Sequence, residues 1–211
     1  MSTFKKGILG GFSGKVGSVV GSTWKGINVM RSLPAHVKKS SSVKLLEHRA
    51  RFGAAGSFFS RAGALVRKGL YPEAIKQTSH NVAMSRNFDC FQFKDDCIVV
   101  DFPRLELSNG MHSPLTDVTG ALDSTGLVDL SWSWSGVDYL SDFQVQVMIV
   151  TEDLSEVYVM EDVAKVSEGS TKFMIPSNMV EAKLHMYAFY VHPTVRGAEA
   201  VSDCRYVLLS K

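Results

Sequence analysis

The chain has 211 residues, of which 45% are hydrophobic and 21% are charged, a composition ordinary for one globular domain with an extension or for two small domains. It contains no run of about 18 apolar residues, so we expect no membrane-spanning helix. The basic N-terminus is followed by glycines and Lys15 instead of a continuous apolar segment. We therefore also expect no signal peptide and synthesis in the cytoplasm.

Charge is distributed unevenly along the chain. Residues 1–70 contain thirteen basic side chains and a single acidic one, a formal charge of +12, whereas the remaining residues contain ten basic and twenty acidic side chains, a charge of −10. Opposite charge on two parts of one chain favours head-to-tail contact between copies, or contact between the basic part and nucleic acid.

Residues 1–41 are basic and rich in glycine, and we interpret them as an interaction arm. Glycine loses much backbone entropy on ordering and buries no side chain, so we expect an extended arm that becomes ordered against neighbouring subunits. Residues 27–34 alternate apolar and polar side chains before a proline, which is typical of an added edge strand. The residues expected to make the contacts, as apolar anchors, close-passing glycines or steering cations, are Gly10, Gly14, Lys15, Gly17, Gly21, Trp24, Lys25, Ile27, Val29, Met30 and Arg31.

Residues 42–92 are predicted to be helical. Ser42 is a suitable N-cap for an amphipathic helix over residues 43–67, in which glycines permit a break, and a second helix is predicted over 71–88. Basic residues of this region and of the preceding linker are candidate contacts for phosphates or for an acidic partner: Lys38, Lys39, Lys44, Arg49, Arg51, Arg61, Arg67 and Lys68.

Residues 93–211 change to a two-residue alternation with frequent turn signals, which predicts an antiparallel β-sandwich of about seven strands and hence an α+β fold for the whole chain. The strands are predicted over residues 97–107, 127–134, 143–151, 156–160, 171–175, 183–192 and 200–209. A tryptophan in an early strand and a tyrosine-rich penultimate strand resemble a fibronectin type III or immunoglobulin-like sandwich.

The two aromatic strands are expected to face each other across this sandwich. Alternation places Val128, Leu130, Trp132 and Trp134 on one face of the early strand. The opposing layer is predicted to consist of Tyr187, Phe189 and Val191, with Met186 and Tyr190 on the other side of the penultimate strand.

The sequence offers no motif for catalysis, a metal or a cofactor. The segment from Gly10 to Val16 is one residue too short for a phosphate-binding loop and ends in valine where that loop has serine or threonine. The three cysteines lack the paired spacing of a zinc site and are expected to be buried free thiols, and the histidines are scattered. We therefore expect neither an enzyme nor a cofactor.

The N-terminal run GGFSGKVGSVVGSTWKG, followed by Met30-Arg31-Ser32-Leu33-Pro34, resembles the N-terminal signature of an uncharacterised protein family of Bacteroidota and their phages. The resemblance covers nearly the whole chain and brings no catalytic residues. Similar arms occur in small phage virion proteins, which implies a structural component of a virion or phage-like particle made in the bacterial cytoplasm.

The leading hypothesis is therefore a non-enzymatic assembly protein whose partners are other protein subunits. One alternative is a nucleic-acid-associated protein that uses the basic arm and helix on phosphates. Another is an adhesion or carbohydrate-binding sandwich, for which Trp132, Trp134 and Tyr139 are the candidate contacts if they are exposed.

Overall fold

The structure, a computed structural model, describes residues 2–3, 11–24, 26–33, 42–133 and 136–209. It confirms an α+β fold with a β-rich C-terminal part. The chain divides into two compact units, residues 1–45 and residues 46–211, and each is described by itself.

The N-terminal unit contains a four-stranded antiparallel sheet, which we call the meander. Its strands are β1 Ser2–Thr3, β2 Gly14–Val16, β3 Val19–Trp24 and β4 Ile27–Ser32, in the order β1-β4-β3-β2. Only the strand at residues 27–34 was expected, within an otherwise extended arm. Gly17 and Gly26 have φ angles of 59° and 78°, which glycine adopts without steric cost, and so they allow the tight turns that pair these strands.

The first predicted helix is interrupted at Ala62, next to Gly63, and the second helix starts later than predicted. The helices are α1 Val43–Arg61, α2 Gly63–Gly69 and α3 Ser79–Asn87. Residues 71–73 form only a short 3₁₀ helix. The α-helix begins where Thr78 Oγ1 accepts a hydrogen bond from the Asn81 N–H at 3.1 Å, which satisfies a free donor of the first turn.

A two-stranded hairpin links the helices to the remaining strands. It consists of β5 Phe91–Lys94 and β6 Cys97–Val100. The turn between them places Asp95 and Asp96 at positive φ angles of 50° and 59°. The predicted strand over residues 97–107 is therefore wrong beyond Val100, because a 3₁₀ helix follows at Phe102–Arg104.

Two further sheets, of three and four strands, pack face to face. The strands are β7 Thr116–Leu122, β8 Leu127–Ser133, β9 Gln144–Thr151, β10 Val157–Lys165, β11 Ser170–Met174, β12 Leu184–Val191 and β13 Arg205–Leu208. The smaller sheet has the order β11-β8-β7 and the larger one β10-β9-β12-β13. β7 was not predicted.

The larger sheet is buried on both of its faces. Met186, Ala188 and Tyr190 of β12 join Trp132 in a core between the two sheets. Tyr187 and Phe189 lie on the other face, in a second core that is shared with the helices. The predicted facing of β12 is therefore wrong. All its residues are buried, so the sequence contains no polar alternation that distinguishes its two faces.

Candidate protein-interaction face

The register of the meander gathers charged and apolar side chains on one of its faces. Lys15 lies opposite Val20, and Val20 lies opposite Arg31, while the next pairs along the strands are Ser22 with Val29 and Trp24 with Ile27. Directly opposed residues share a face of a sheet, as do alternate residues along one strand. We call this set the meander face: Lys15, Val20, Ser22, Trp24, Ile27, Val29 and Arg31.

The meander face has an apolar end and a basic end. Trp24 and Ile27 form the closing pair of the β3–β4 hairpin and are 52% and 46% exposed. Lys15 and Arg31 lie at the other end, about 13 Å along the strand at the usual rise per residue. Both cations are exposed and form no ion pair among the described residues. Trp and Arg are residue types enriched at protein interfaces, whereas a Lys such as Lys15 is more typical of the polar rim.

The opposite face of the meander is partly covered by its own chain. Gly21 is buried beneath Phe12, and a Cβ atom at Gly21 would lie 2.5 Å from the Phe12 carbonyl oxygen. Thr23 Oγ1 donates a hydrogen bond to Asn28 Oδ1 at 2.9 Å. Val16 pairs with Val19 and therefore lies on this opposite face, where it is an exposed apolar residue.

Of the predicted arm contacts, five lie together on the meander face: Lys15, Trp24, Ile27, Val29 and Arg31. Gly14, Gly21 and Met30 lie on the opposite face and Gly17 lies in a turn, so they do not join that set. Gly10 and Lys25 lie outside the described residues. Val20 and Ser22 were not among the predicted contacts, although the alternation Val20-Ser22-Trp24 places them on the same face as Trp24.

Two of the predicted phosphate contacts on α1 instead hold the body of the protein together. Arg51 Nε donates to the Phe91 carbonyl oxygen at 2.5 Å, and its guanidinium lies 4.4 Å from the centre of the Phe88 ring. Arg61 donates to the carbonyl oxygens of Ser155 and Leu154 at 2.7 and 2.6 Å.

Lys68 is also committed within the chain. Its ammonium lies 2.9 Å from Glu161 and 3.1 Å from Asp162, and it donates to Gln146 Oε1 at 3.1 Å. Asp162 has a positive φ of 54° where the pairing of β10 with β9 shifts register, so Lys68 stabilises a bulge.

The other predicted phosphate contacts are not paired in this way. Lys44, Arg49 and Arg67 are exposed and form no ion pair within the part of the chain that the structure describes. Lys38 and Lys39 lie outside that part.

The residues proposed for a carbohydrate-binding sandwich separate in the structure. Trp132 is only 5% exposed, and its Nε1–H donates to the Val166 carbonyl oxygen at 2.8 Å. It therefore belongs to the core and cannot stack on a ligand. Tyr139 is 65% exposed, and Trp134 lies outside the described residues.

Three further expectations from the sequence concern metal ligands, membrane-spanning helices and cysteines. The described residues contain no group of three or more His, Cys, Asp or Glu side chains arranged to hold a metal ion. Nor does any helix among them reach the length and apolar character that crossing a membrane requires. Cys90 is buried and Cys204 is half-buried, but the expected burial is wrong for Cys97, which is exposed at the start of β6.

None of the curated proteins matches the chain at a significant level. Residues 11–204 match the family described as a family of unknown function (DUF6266). This match spans most of the chain, and the protein therefore belongs to that family.

Proposed function

We propose that the protein is a non-enzymatic assembly component whose meander face binds a neighbouring protein subunit. The observation that carries this proposal is the strand register, which places Trp24 and Ile27 on the same exposed face as Lys15 and Arg31. Burial of the two apolar side chains would supply affinity, and the two cations would fix orientation and steer association.

The particle assignment rests on the resemblance of the N-terminal motif to arms of phage virion proteins. We propose a virion or phage-like particle as the place of assembly. In this setting the sheets and helices of residues 46–211 form a body, and the meander is the part that contacts the neighbour.

Binding to nucleic acid is less well supported than binding to protein. Arg51, Arg61 and Lys68 are engaged with carbonyl oxygens or carboxylates of the same chain. The two cations of the meander face would neutralise about two phosphates, which supports only weak sequence-independent binding at that face.

Adjacent residues on opposite faces of β3 provide a direct test. A photo-crosslinking amino acid is placed at Ser22, on the meander face, or at Thr23, on the opposite face, and both positions are exposed. After illumination of cells that naturally make the protein, Ser22 should yield an adduct with a protein subunit that mass spectrometry identifies, and Thr23 should not.

Three outcomes would contradict the proposal. They are no adduct from Ser22, equal adducts from both positions, or a Ser22 adduct that nuclease treatment removes. The last of these would favour the nucleic-acid alternative.

A further inference from the structure

A second exposed apolar surface lies at one end of the two packed sheets. Its apolar members are Met111 and Tyr139, which are 74% and 65% exposed, together with Val137. Two exposed acidic residues lie in the loops that form this surface: Asp138 between Val137 and Tyr139, and Glu199 in the β12–β13 connection. We call these five residues the acidic loop patch.

Three loops converge to form this patch. The His112 ring lies 5.8 Å from the ring of Tyr139, and His112 Nε2 lies 2.7 Å from the Glu199 carbonyl oxygen. The Met111 N–H donates to the Ala198 carbonyl oxygen at 2.9 Å. The segment before β7, the β8–β9 connection and the β12–β13 connection are therefore held side by side.

Buried aromatic residues support the patch from below. Phe143 packs edge-to-face against His112 at 5.4 Å and against Tyr190 at 5.7 Å. The Tyr190 hydroxyl donates to the Ser113 carbonyl oxygen at 2.9 Å. A surface held in this way loses little conformational entropy when a partner binds.

The charge of the patch is complementary to that of the meander face. Asp138 and Glu199 form no ion pair among the described residues, as is true of Lys15 and Arg31. Another exposed apolar pair, Tyr71 and Ile75, has basic neighbours, and Glu73 between them is already paired with Arg86 at 2.7 Å. The Arg196 guanidinium lies 5.6 Å from the centre of the Tyr71 ring, and Lys76 follows Ile75. Electrostatics therefore disfavours that pair as a partner for a basic face.

We infer that the meander face of one copy binds the acidic loop patch of a second copy of this chain. Trp24 and Ile27 pack against Tyr139 and Met111, while the cations of the meander face lie towards Asp138 and Glu199. The inference rests on the proposed function and names the neighbouring subunit and its surface. Because every copy carries both surfaces, the interface is head-to-tail and builds a ring or a filament.

A complementation experiment with the full-length chain tests this pairing. Trp24→Ala removes the anchor of the meander face, and Tyr139→Ala removes that of the acidic loop patch. Each substitution should weaken self-association at least about ten-fold, as truncation of an interface anchor does, and leave the variant largely monomeric at 23.2 kDa. The unsubstituted protein should form species larger than a dimer as its concentration rises in sedimentation velocity.

The mixture of the two variants is the decisive sample. The Trp24→Ala chain retains an intact patch and the Tyr139→Ala chain retains an intact meander face, so an equimolar mixture should form a dimer that cannot extend. Val16→Ala on the opposite face and Ile75→Ala on the other apolar surface are matched controls, and both should assemble like the unsubstituted protein.

Failure of this inference can be told apart from failure of the proposed function. If Tyr139→Ala assembles normally while Trp24→Ala does not, the acceptor surface is wrong and the role of the meander face stands. Monomeric unsubstituted protein, or a mixture without the capped dimer, overturns head-to-tail pairing and leaves the Ser22 cross-link to decide the proposed function. Normal assembly of Trp24→Ala contradicts both.

Discussion

The two four-stranded sheets of this chain differ in what covers them. In the sheet of β9, β10, β12 and β13, strand β12 is buried along its whole length. In the meander, β3 ends with three exposed residues, and only Gly21 of that strand is buried. A sheet with a core on both faces has used its apolar side chains for stability. The exposed face of the meander leaves its apolar side chains available for a partner.

The largest expected effect is a difference in how much substitutions in the two sheets lower the free energy of unfolding. Phe189→Ala removes a fully buried ring from the core shared with the helices and should lower the free energy of unfolding by about 3–5 kcal/mol. Trp24→Ala removes a half-exposed ring and should change it by less than about 0.5 kcal/mol. Urea unfolding followed by far-UV circular dichroism measures both. A comparable loss from Trp24→Ala would show that the meander face is part of a core.

Two glycines in the helices test the contrast between covered and open positions, because their substitution by alanine should change stability in opposite directions. A Cβ atom at Gly69 would lie 2.3 Å from the Leu107 carbonyl oxygen, so Gly69→Ala should destabilise by about 1–3 kcal/mol. Nothing lies within 4 Å of a Cβ atom at Gly56 in α1, so Gly56→Ala should stabilise by about 0.5–1 kcal/mol. Destabilisation by Gly56→Ala would mean that α1 is covered at that position. Chemical denaturation of the two variants side by side decides the sign.

The sequence predicted strands well where one face is buried and the other is not. β8 alternates buried and more exposed residues, and its predicted bounds agree with the structure to within a residue. β7 escaped prediction because Gly120 stands at an inward position. A Cβ atom there would lie 2.6 Å from Leu209 and 2.9 Å from Met186, so neighbouring side chains fill the space that an apolar residue normally occupies. The facing of β12 could not be predicted because large apolar or aromatic residues lie on both its faces.

The candidate site was predictable as a set of residues but not as a surface. Composition identified Lys15, Trp24 and Arg31, whereas their placement on one face depends on the turns at Gly17 and Gly26. Apart from Tyr139, the residues of the acidic loop patch could not be predicted from the sequence. Its segments are distant in sequence, and only the packing of the two sheets brings them together.

A pH-dependent contribution is expected from His185, a polar residue buried in the larger sheet. Burial and the nearby Lys183 lower its pKa below the ordinary 6.5, while its Nδ1 lies 2.8 Å from the Tyr206 hydroxyl. Below pH 6.5 the unfolded chain binds a proton that the folded chain does not, so stability is lost as the pH falls through 6.5.

His185→Phe keeps a ring against Phe102, on which the imidazole stacks at 3.7 Å, and removes the titrating group. The difference in unfolding free energy between the two proteins should therefore change between pH 7.5 and 5.5, to the disadvantage of the histidine at low pH. If the difference in unfolding free energy stays constant with pH, His185 does not cause the pH dependence of stability.

The smallest effect concerns thiol reactivity and leaves stability unchanged. Cys97 is exposed, whereas Cys90, the residue before β5 of the hairpin, is 3% exposed in the core shared with the helices, and burial raises the pKa of its thiol. Burial also raises the pKa of Cys204 to about 12. The thiolate is the reactive form, so brief treatment of the folded protein with iodoacetamide should label Cys97 alone, as read by peptide mass mapping. Labelling of Cys90 at the same rate would mean that the hairpin opens in the native state. The core shared with the helices would then be as accessible as the meander face.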